Sequence, residues 1–428
     1  MSKLTTYKFC KLYEISSGIS SKPEQAGHGS PFLSFSTVYN NYFIPEKLDD
    51  LMDTSEEEQK KYSVLKGDIF LTRTSEVIDE LAMSSVSLKD YPGATYSGFL
   101  KRLRPLQDNI TYHKFMAFYL RSKLFRKTMT NNAVLTLRAS LNENIFSYLD
   151  LILPDYDEQV KVGELLHLVN RKIDLNNRIN AELEAMAKTL YDYWFVQFDF
   201  PFDFAQGKPG KNGKPYKSSG GKMVWNKELK REIPEGWGVK ELGMILDTSL
   251  GGTPSTHNKS YWVNGQYNWL NSGEIAEFPI VSSELKITKE AIKKSAADLL
   301  PKGTTLLSIT RHLRPTILAI DACANQSVVG IKEKGDIKSY YIYPYLKNEI
   351  PRYLVLRTGA QQPHINKETV DSSLMVLPTE NSNILEKYNK IAGPLYDQII
   401  NSAFQNQHLS SLRDWLLPML MNGQLKVS

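Results

Sequence analysis

The stretch VGELLHLVNRKIDLNNRINAELEAMAKTLYDYW, residues 162–194, carries Val162, Leu166, Val169, Ile173, Asn176, Asn180, Leu183, Ala187, Leu190 and Trp194 at alternating steps of four and three. That spacing is the seam of a long helix made to lie along another helix. A partner stands 222 residues further on, where Ile384, Tyr388, Ile391, Leu395, Gln398, Ser402, Gln405, Leu409, Leu412 and Leu416 repeat the steps. Both seams turn polar at the same place, Asn176 and Asn180 against Gln398 and Ser402. Buried polar side chains of this kind set register and partner orientation at some cost in stability. Helices of this length extend about 55 to 60 Å at about 1.5 Å per residue, the reach of a spacer.

Each helix follows a Leu-Pro pair, Leu153-Pro154 and Leu377-Pro378, and each pair closes a stretch of similar pattern. Gly67 in the run that starts at Tyr62 falls opposite Gly303 in the run that starts at Leu299, both reading as a turn before a buried strand. Leu141-Asn142 falls opposite Ile365-Asn366, and Tyr119-Leu120 near Tyr345-Leu346. The chain therefore contains itself twice. The spacing predicts a globular unit over residues 1–154, a helix over 155–198, a linker over 199–229, a second unit over 230–378 and a second helix over 379–428. Gly393-Pro394 predicts a break near the start of the second helix. The Gly-, Pro-, Ser- and Lys-rich run from Phe200 to Lys222 reads as a solvated flexible connector or, with Lys208, Lys211, Lys214 and Lys217, as a basic strap.

A chain of 428 residues exceeds one hydrophobic core, in line with two units. Cys10 and Cys323 lack the spacing of a zinc or redox pair and read as core thiols. Residues 1–15 lack an uninterrupted apolar run, and no stretch reaches the roughly 18 apolar residues of a spanning helix, so a cytoplasmic protein is expected. The net charge of +5 is too small to establish nucleic-acid binding by itself.

The sequence holds neither G-x-G-x-x-G nor G-x-x-x-x-G-K-[ST], which leaves phosphate-loop nucleotide binding unsupported. Three E-x-K tripeptides, at Glu228, Glu284 and Glu58, are what alternating charge on solvated helices produces. The seven histidines lack metal-ligand spacing, and no Asn/Asp-Pro-Pro-aromatic turn stands beside a glycine-rich loop. No catalytic constellation and no metal site is expected. What remains is the vocabulary of DNA contact. Lys101, Arg102 and Arg104 form a basic run, and Arg121 and Arg126 lie with Lys123 and Lys127 on a helix-like segment. In the second half, Lys259, Tyr261, Arg311, His312, Arg314, Gln361, Gln362, His364 and Asn366 place basic, aromatic and amide groups in loops, as phosphate binding and base reading require. The helix seam supplies the pairing residues Leu166, Val169, Ile173, Asn176, Leu183, Leu190, Leu395, Leu409, Leu412 and Leu416.

Several of these segments resemble the specificity subunit of type I restriction-modification systems. Ile233-Pro-Glu-Gly-Trp237, Gly251-Gly-Thr-Pro-Ser255, Tyr261-Trp262, Trp269-Leu270 and Lys302-Gly303 are similar to that family's target-recognition domain. Leu190-Tyr-Asp-Tyr-Trp-Phe195 and Leu412-Arg-Asp-Trp-Leu-Leu417 resemble the ends of its two spacer helices. The first unit departs most, lacking the Pro-Glu-Gly-Trp and Gly-Gly-Thr-Pro segments. The resemblance implies an α/β protein with two target-recognition domains in tandem, each followed by a long helix, the helices pairing as an antiparallel coiled coil in a V-shaped molecule. It further implies a non-catalytic subunit that reads a split double-stranded DNA target and binds two modification subunits, which carry S-adenosylmethionine and methylate adenine, with motor-nuclease subunits adding restriction. No cofactor is then expected on this chain. The readings that stay open on residues alone are a stand-alone nuclease or methyltransferase with an unrecognised active site, and a protein-interaction scaffold.

Overall fold

The structure, a computed structural model, describes residues 4–20, 22–131, 134–135, 139–141, 144–210, 213–359, 363–379 and 382–427. It forms two units, Met1–Ile173 with His408–Ser428, and Asp174–Gln407.

In the first unit, the strand Leu4–Lys8 pairs antiparallel with Asp150–Pro154 and so draws the two ends of the fold together. Between them lies a four-stranded antiparallel sheet in the order Tyr13–Ser17, Leu100–Pro105, Ile69–Thr72, Ser84–Val86. The apolar run Ile69–Thr72 is buried along its length, as a central strand must be. It is launched by the turn at Gly67, whose φ of 87° favours glycine. A three-stranded sheet runs Leu51–Met52, Ala26–Leu33, Thr95–Tyr96, the last pair parallel.

The second unit repeats this plan strand for strand. Gly238–Glu241 pairs with Leu374–Leu377, and the four-stranded sheet runs Thr248–Leu250, Val328–Ile331, Thr305–Ser308, Arg314–Ile317. The three-stranded sheet runs Leu285–Ile287, Tyr267–Leu270, Ala322–Ala324, again with a parallel last pair. Gly303, at φ 89°, makes the turn that Gly67 makes. The tandem read from the repeat, and the α/β class that the resemblance implies, are therefore present as a repeat of topology.

The central helix spans Tyr156–Tyr191 and ends in a wider turn over Asp192–Val196; the C-terminal helix spans Ile384–Met421. Asp155 starts the central helix by accepting the Glu158 N–H on Oδ1 at 2.9 Å, with Asp157 and Glu158 in the first turn facing the positive end of the dipole. In the first unit, Val162 and Leu166 pack in one core with Leu417, Leu420 and Met421, and Lys161 Nζ donates to the Val427 carbonyl. In the second unit, Asn176 Nδ2 donates to Asn406 Oδ1 at 2.8 Å and Asn180 Nδ2 to the Ile399 carbonyl at 3.3 Å, while the Tyr191 ring meets Tyr388. Rising numbers on one helix meet falling numbers on the other within each unit, which makes the pairing antiparallel.

The seam of the central helix is as read: Leu166 and Asn176 are buried, and Val169, Ile173, Leu183 and Leu190 are half-buried. On the C-terminal helix Ile384, Tyr388 and Ser402 are buried on the expected seam, but elsewhere the buried face lies one residue further on. Ala392, Tyr396, Ile399 and Leu417 are buried, whereas Ile391 is 50% exposed and Leu412 46% exposed. Leu395, Leu409 and Leu416 flank the seam, half-buried, and Leu412 is not a pairing residue. At Tyr396 the reason is its packing on Tyr340, Tyr343 and Phe278, which turns that side of the helix toward the fold of the second unit, whereas Tyr388, on the expected seam, meets Trp194. The break expected at Gly393-Pro394 is absent, and the helix runs through it. Gly393 is buried there with the Tyr340 ring so close that a Cβ would stand 3.2 Å from it, so packing holds the helix where the proline costs it one hydrogen bond.

The connector also differs from its reading as a flexible segment. Pro201–Phe202 pairs with Lys214–Pro215, and Met223–Asn226 with Arg231–Pro234. Phe200 and Tyr216 are buried and stacked, their centroids 4.8 Å apart, and Phe200 also stacks on Trp237 at 5.1 Å. The aromatic residues spaced through this Gly-Pro-Lys background supply a core that average composition concealed. Lys211 lies outside the described residues. Cys323 is buried as read, while Cys10 is exposed at the start of the first unit.

Candidate nucleic-acid interface

In the second unit, three strand ends of the four-stranded sheet come together. Thr248–Leu250 and Thr305–Ser308 both finish against the beginning of Val328–Ile331. Backbone bonds knit the loops that follow: Gly252 N–H to the Ala324 carbonyl, Ile309 N–H to the Ser327 carbonyl, and Ile365 N–H to the Ile309 carbonyl. The segment around His364 is laid across this end by bridges to Thr310 and Thr358. Gly251 sits so close to the neighbouring strand that a Cβ would stand 2.2 Å from the Asn325 carbonyl oxygen, which explains a glycine there.

On this frame Arg311, His312, Arg314 and His364 are exposed together. Arg311 has a φ of 54°, a conformation that costs a non-glycine residue on the order of 1 kcal/mol, and its N–H is held by the Pro363 carbonyl at 3.0 Å. Among the described residues, no hydrogen bond or ion pair engages the side chains of Arg311, His312, Arg314 or Lys259. Lys259 is exposed in the loop that leaves Thr248–Leu250, and Tyr261 beside it is half-buried against the core that contains Trp269. The result is a cationic ridge, rigid in its backbone and, at Arg311, His312, Arg314 and Lys259, unspent in its side chains, suited to phosphate oxygens and base edges. Gln361 and Gln362 lie outside the described residues. Asn366 is committed elsewhere: its Oδ1 accepts the Thr369 N–H at 2.8 Å and caps the helix Lys367–Asp371.

The corresponding end of the first unit has the same frame. Gly18 would place a Cβ 2.3 Å from the Ser97 carbonyl oxygen, as Gly251 does against Asn325. Arg73 N–H bonds the Phe99 carbonyl and Leu141 N–H bonds the Arg73 carbonyl, reproducing the Ile309 and Ile365 links. Most of the cations read there from sequence, however, are engaged by the fold, while Lys123 and Lys127 stay exposed. Lys101 is fully buried in its strand with Nζ 2.6 Å from Ser17 Oγ, and Arg102, 5% exposed, donates to the Ser63 carbonyl at 2.9 Å. Arg104 forms a two-pronged pair with the buried Asp68 carboxylate, Nε to Oδ1 at 2.8 Å and NH2 to Oδ2 at 2.7 Å, and that contact raises its pKa. Arg121 ties the Val38, Tyr39, Asn41 and Ser84 carbonyls, and burial lowers its pKa to about 10. Arg126 donates to the Asp79 carbonyl. Residues 101–104 lie inside a strand of the sheet, so this basic run closes the fold and is not a phosphate surface; Arg121 is likewise a structural tie.

Sequence reading missed Phe99, 52% exposed on the turn that links Thr95–Tyr96 to Leu100–Pro105. A single phenylalanine after Ser97-Gly98 carries no signal until the topology places it at this end. Among the described residues, no group of three or more His, Cys, Asp or Glu side chains could hold a metal ion, and no helix is long and apolar enough to cross a membrane.

Comparison with known proteins agrees with this picture. The family described as "Type I restriction modification DNA specificity domain" matches residues 9–185 and 234–398. The chain is 23% identical over 367 residues to the type I restriction enzyme MjaIX specificity subunit of Methanocaldococcus jannaschii, covering 85% of this chain and 78% of that protein. It is 21% identical to the HindI specificity subunit of Haemophilus influenzae, covering 92% and 94%. The crystal structure of the type I restriction-modification S subunit from M. genitalium shares the fold with a TM-score of 0.57 at 12% identity, over 98% of this chain and 96% of that one.

Proposed function

The chain belongs to the family of type I restriction-modification DNA specificity domains, and from that premise we propose that it reads a split double-stranded DNA target, one half with each unit, while partner subunits do the chemistry. The protein is a non-catalytic specificity component of a restriction-modification complex. The observation that carries the division of labour is the duplicated strand-end frame, Gly18 with Arg73 and Leu141 in one unit and Gly251 with Ile309 and Ile365 in the other. One frame per unit supports one half-site per unit. In the second, Arg311, His312, Arg314, His364 and Lys259 are the contacts we assign; Gln361 and Gln362 join them as base readers suited to adenine.

The partners fit the helices. Leu168 is 65% exposed, Trp415 64% and Leu412 46%, all in the first unit and on the two long helices. Such apolar area on a helix is suited to another protein surface, and we assign it to the modification subunits, one for each half-site, with motor-nuclease subunits completing the restriction complex in the cytoplasm. The long helices are the spacer between the half-sites.

Exchanging residues 230–378 for the equivalent unit of a relative and mapping methylated adenines in the host genome is the direct test. One half of the motif changes and the other stays; a change in both halves refutes the division. Adding one matched heptad to each helix, about 10 Å at about 1.5 Å per residue, lengthens the unread gap by about 3 base pairs.

A further inference from the structure

Phe99 stands where the second unit has Ser327. Arg73 N–H bonds the Phe99 carbonyl at 2.8 Å, as Ile309 N–H bonds the Ser327 carbonyl at 2.9 Å, so the two residues occupy one position in the repeated frame. Ser327 lies next to the exposed Gln326 and beside the cationic ridge; its counterpart is an aromatic ring half open to solvent. The turn beneath the ring is pinned on every side. Gly98 N–H donates to the Ile19 carbonyl at 2.7 Å, Leu100 N–H to the Ser97 carbonyl at 2.9 Å, and Phe99 N–H to Ser97 Oγ at 3.2 Å. A rigid turn that presents an apolar ring at the end used for reading spends hydrophobic surface where the fold gains nothing from it.

We propose that Phe99 is a specificity residue of the first unit, reading a thymine by packing on its 5-methyl group; this rests on the assignment of the strand-end frame as the DNA-reading surface. The choice of methyl follows from chemistry and geometry. A phenyl ring offers no hydrogen bond, and the apolar group that distinguishes base-pair edges in the major groove is the thymine methyl. Insertion between base steps requires a side chain that projects freely, whereas Phe99 keeps about half its surface against the protein and its backbone cannot advance. Val77, 51% exposed in the loop that leaves Ile69–Thr72, adds a second apolar group to the same strand ends.

The test uses the complex assembled with its modification subunits and target duplexes in which each thymine in turn is replaced by deoxyuridine, removing one methyl. One position weakens binding by the wild-type complex about threefold to tenfold, the effect of leaving one methyl unburied. Phe99→Ala binds the thymine duplex more weakly by a similar factor and shows no further loss on deoxyuridine, while Phe99→Leu, which keeps an apolar side chain, stays within a fewfold of wild type on thymine DNA. If no deoxyuridine position matters, or if the losses from Phe99→Ala and from deoxyuridine simply multiply, the inference is overturned. Arg311→Ala separates the two layers: weakened binding there with no methyl coupling at Phe99 rejects this inference alone, whereas unchanged binding in both variants rejects the strand-end frame as the reading surface.

Discussion

The strand ends of the two units share a backbone and present opposite chemistry. After Ile69–Thr72 the first unit runs through Glu76, Asp79 and Glu80, with Ser75 Oγ donating to the Glu80 carboxylate and Arg126 held on the Asp79 carbonyl. After Thr305–Ser308 the second unit turns back within a few residues and exposes Arg311, His312 and Arg314. Lys101, Arg102, Arg104, Arg121 and Arg126 of the first unit are consumed by the fold, whereas among the described residues no hydrogen bond or ion pair engages the side chains of Arg311, His312 and Arg314 of the second. What repeats in this protein is the frame, fixed by backbone approach at Gly18 and Gly251; what varies is the surface mounted on it.

The strongest challenge to that contrast is Arg104→Ala. If the basic run of the first unit is structural, removal strands the Asp68 carboxylate, which is 1% exposed, and destabilises the unit by about 3 kcal/mol or more in thermal or denaturant unfolding. The salt dependence of DNA binding stays at its wild-type slope; a shallower slope with unchanged stability would return Arg104 to the interface. Next in size, Gly18→Ala and Gly251→Ala each push a Cβ against a carbonyl oxygen and cost about 1 to 3 kcal/mol. Comparable losses confirm one frame used twice, and a free substitution at either glycine breaks the equivalence.

Smaller effects sharpen the functional side. Arg311→Ala and Arg314→Ala weaken binding to all sequences alike, and the slope of log affinity against log salt becomes shallower by about 0.9 for each phosphate no longer neutralised. Lys123 and Lys127, exposed on the helix Lys123–Asn131 of the first unit, provide the matching measurement on that side. The mildest prediction concerns pH. Burial, with Lys114 nearby, lowers the pKa of His113 and of His167 to about 4, and the His167 ring meets Phe43 edge-on at 4.6 Å. The unfolded chain takes up these protons below about 6.5 and the folded chain does not. Stability of the first unit is therefore full above pH 6.5 and falls as pH drops toward 4, and His113→Asn with His167→Gln flattens that decline in melting temperature.

The architecture was legible because it is written in periodicity. The four-three seam of the central helix, the strand ends at Pro154 and Leu377 ahead of the two helices, and the Gly67–Gly303 match are present in the structure, since burying an apolar face fixes spacing more tightly than it fixes residue identity. The phase of the middle of the C-terminal helix was not legible, because Tyr388 keeps the expected register while Tyr396, packed on Tyr340, Tyr343 and Phe278, leaves it. The basic clusters failed for a different reason. Charge in a sequence does not say which way a strand residue points, and at Lys101, Arg102 and Arg104 the partners that turn it inward, Ser17, Ser63 and Asp68, lie 36 to 84 positions away. Asn366 was misread because amides cap helices as readily as they meet adenines.

The antiparallel ladders that close the units, Leu4–Lys8 with Asp150–Pro154 and Gly238–Glu241 with Leu374–Leu377, set the way in and the way out of each fold side by side. A unit built this way behaves as a cartridge. The chain crosses its boundary at two adjacent points, both in backbone pairing that is indifferent to side chains, so a foreign unit with the same closing strands can be spliced in without redesigning the helices. On the reading proposed above, such an exchange would trade one reading surface and leave the helices that follow as they are.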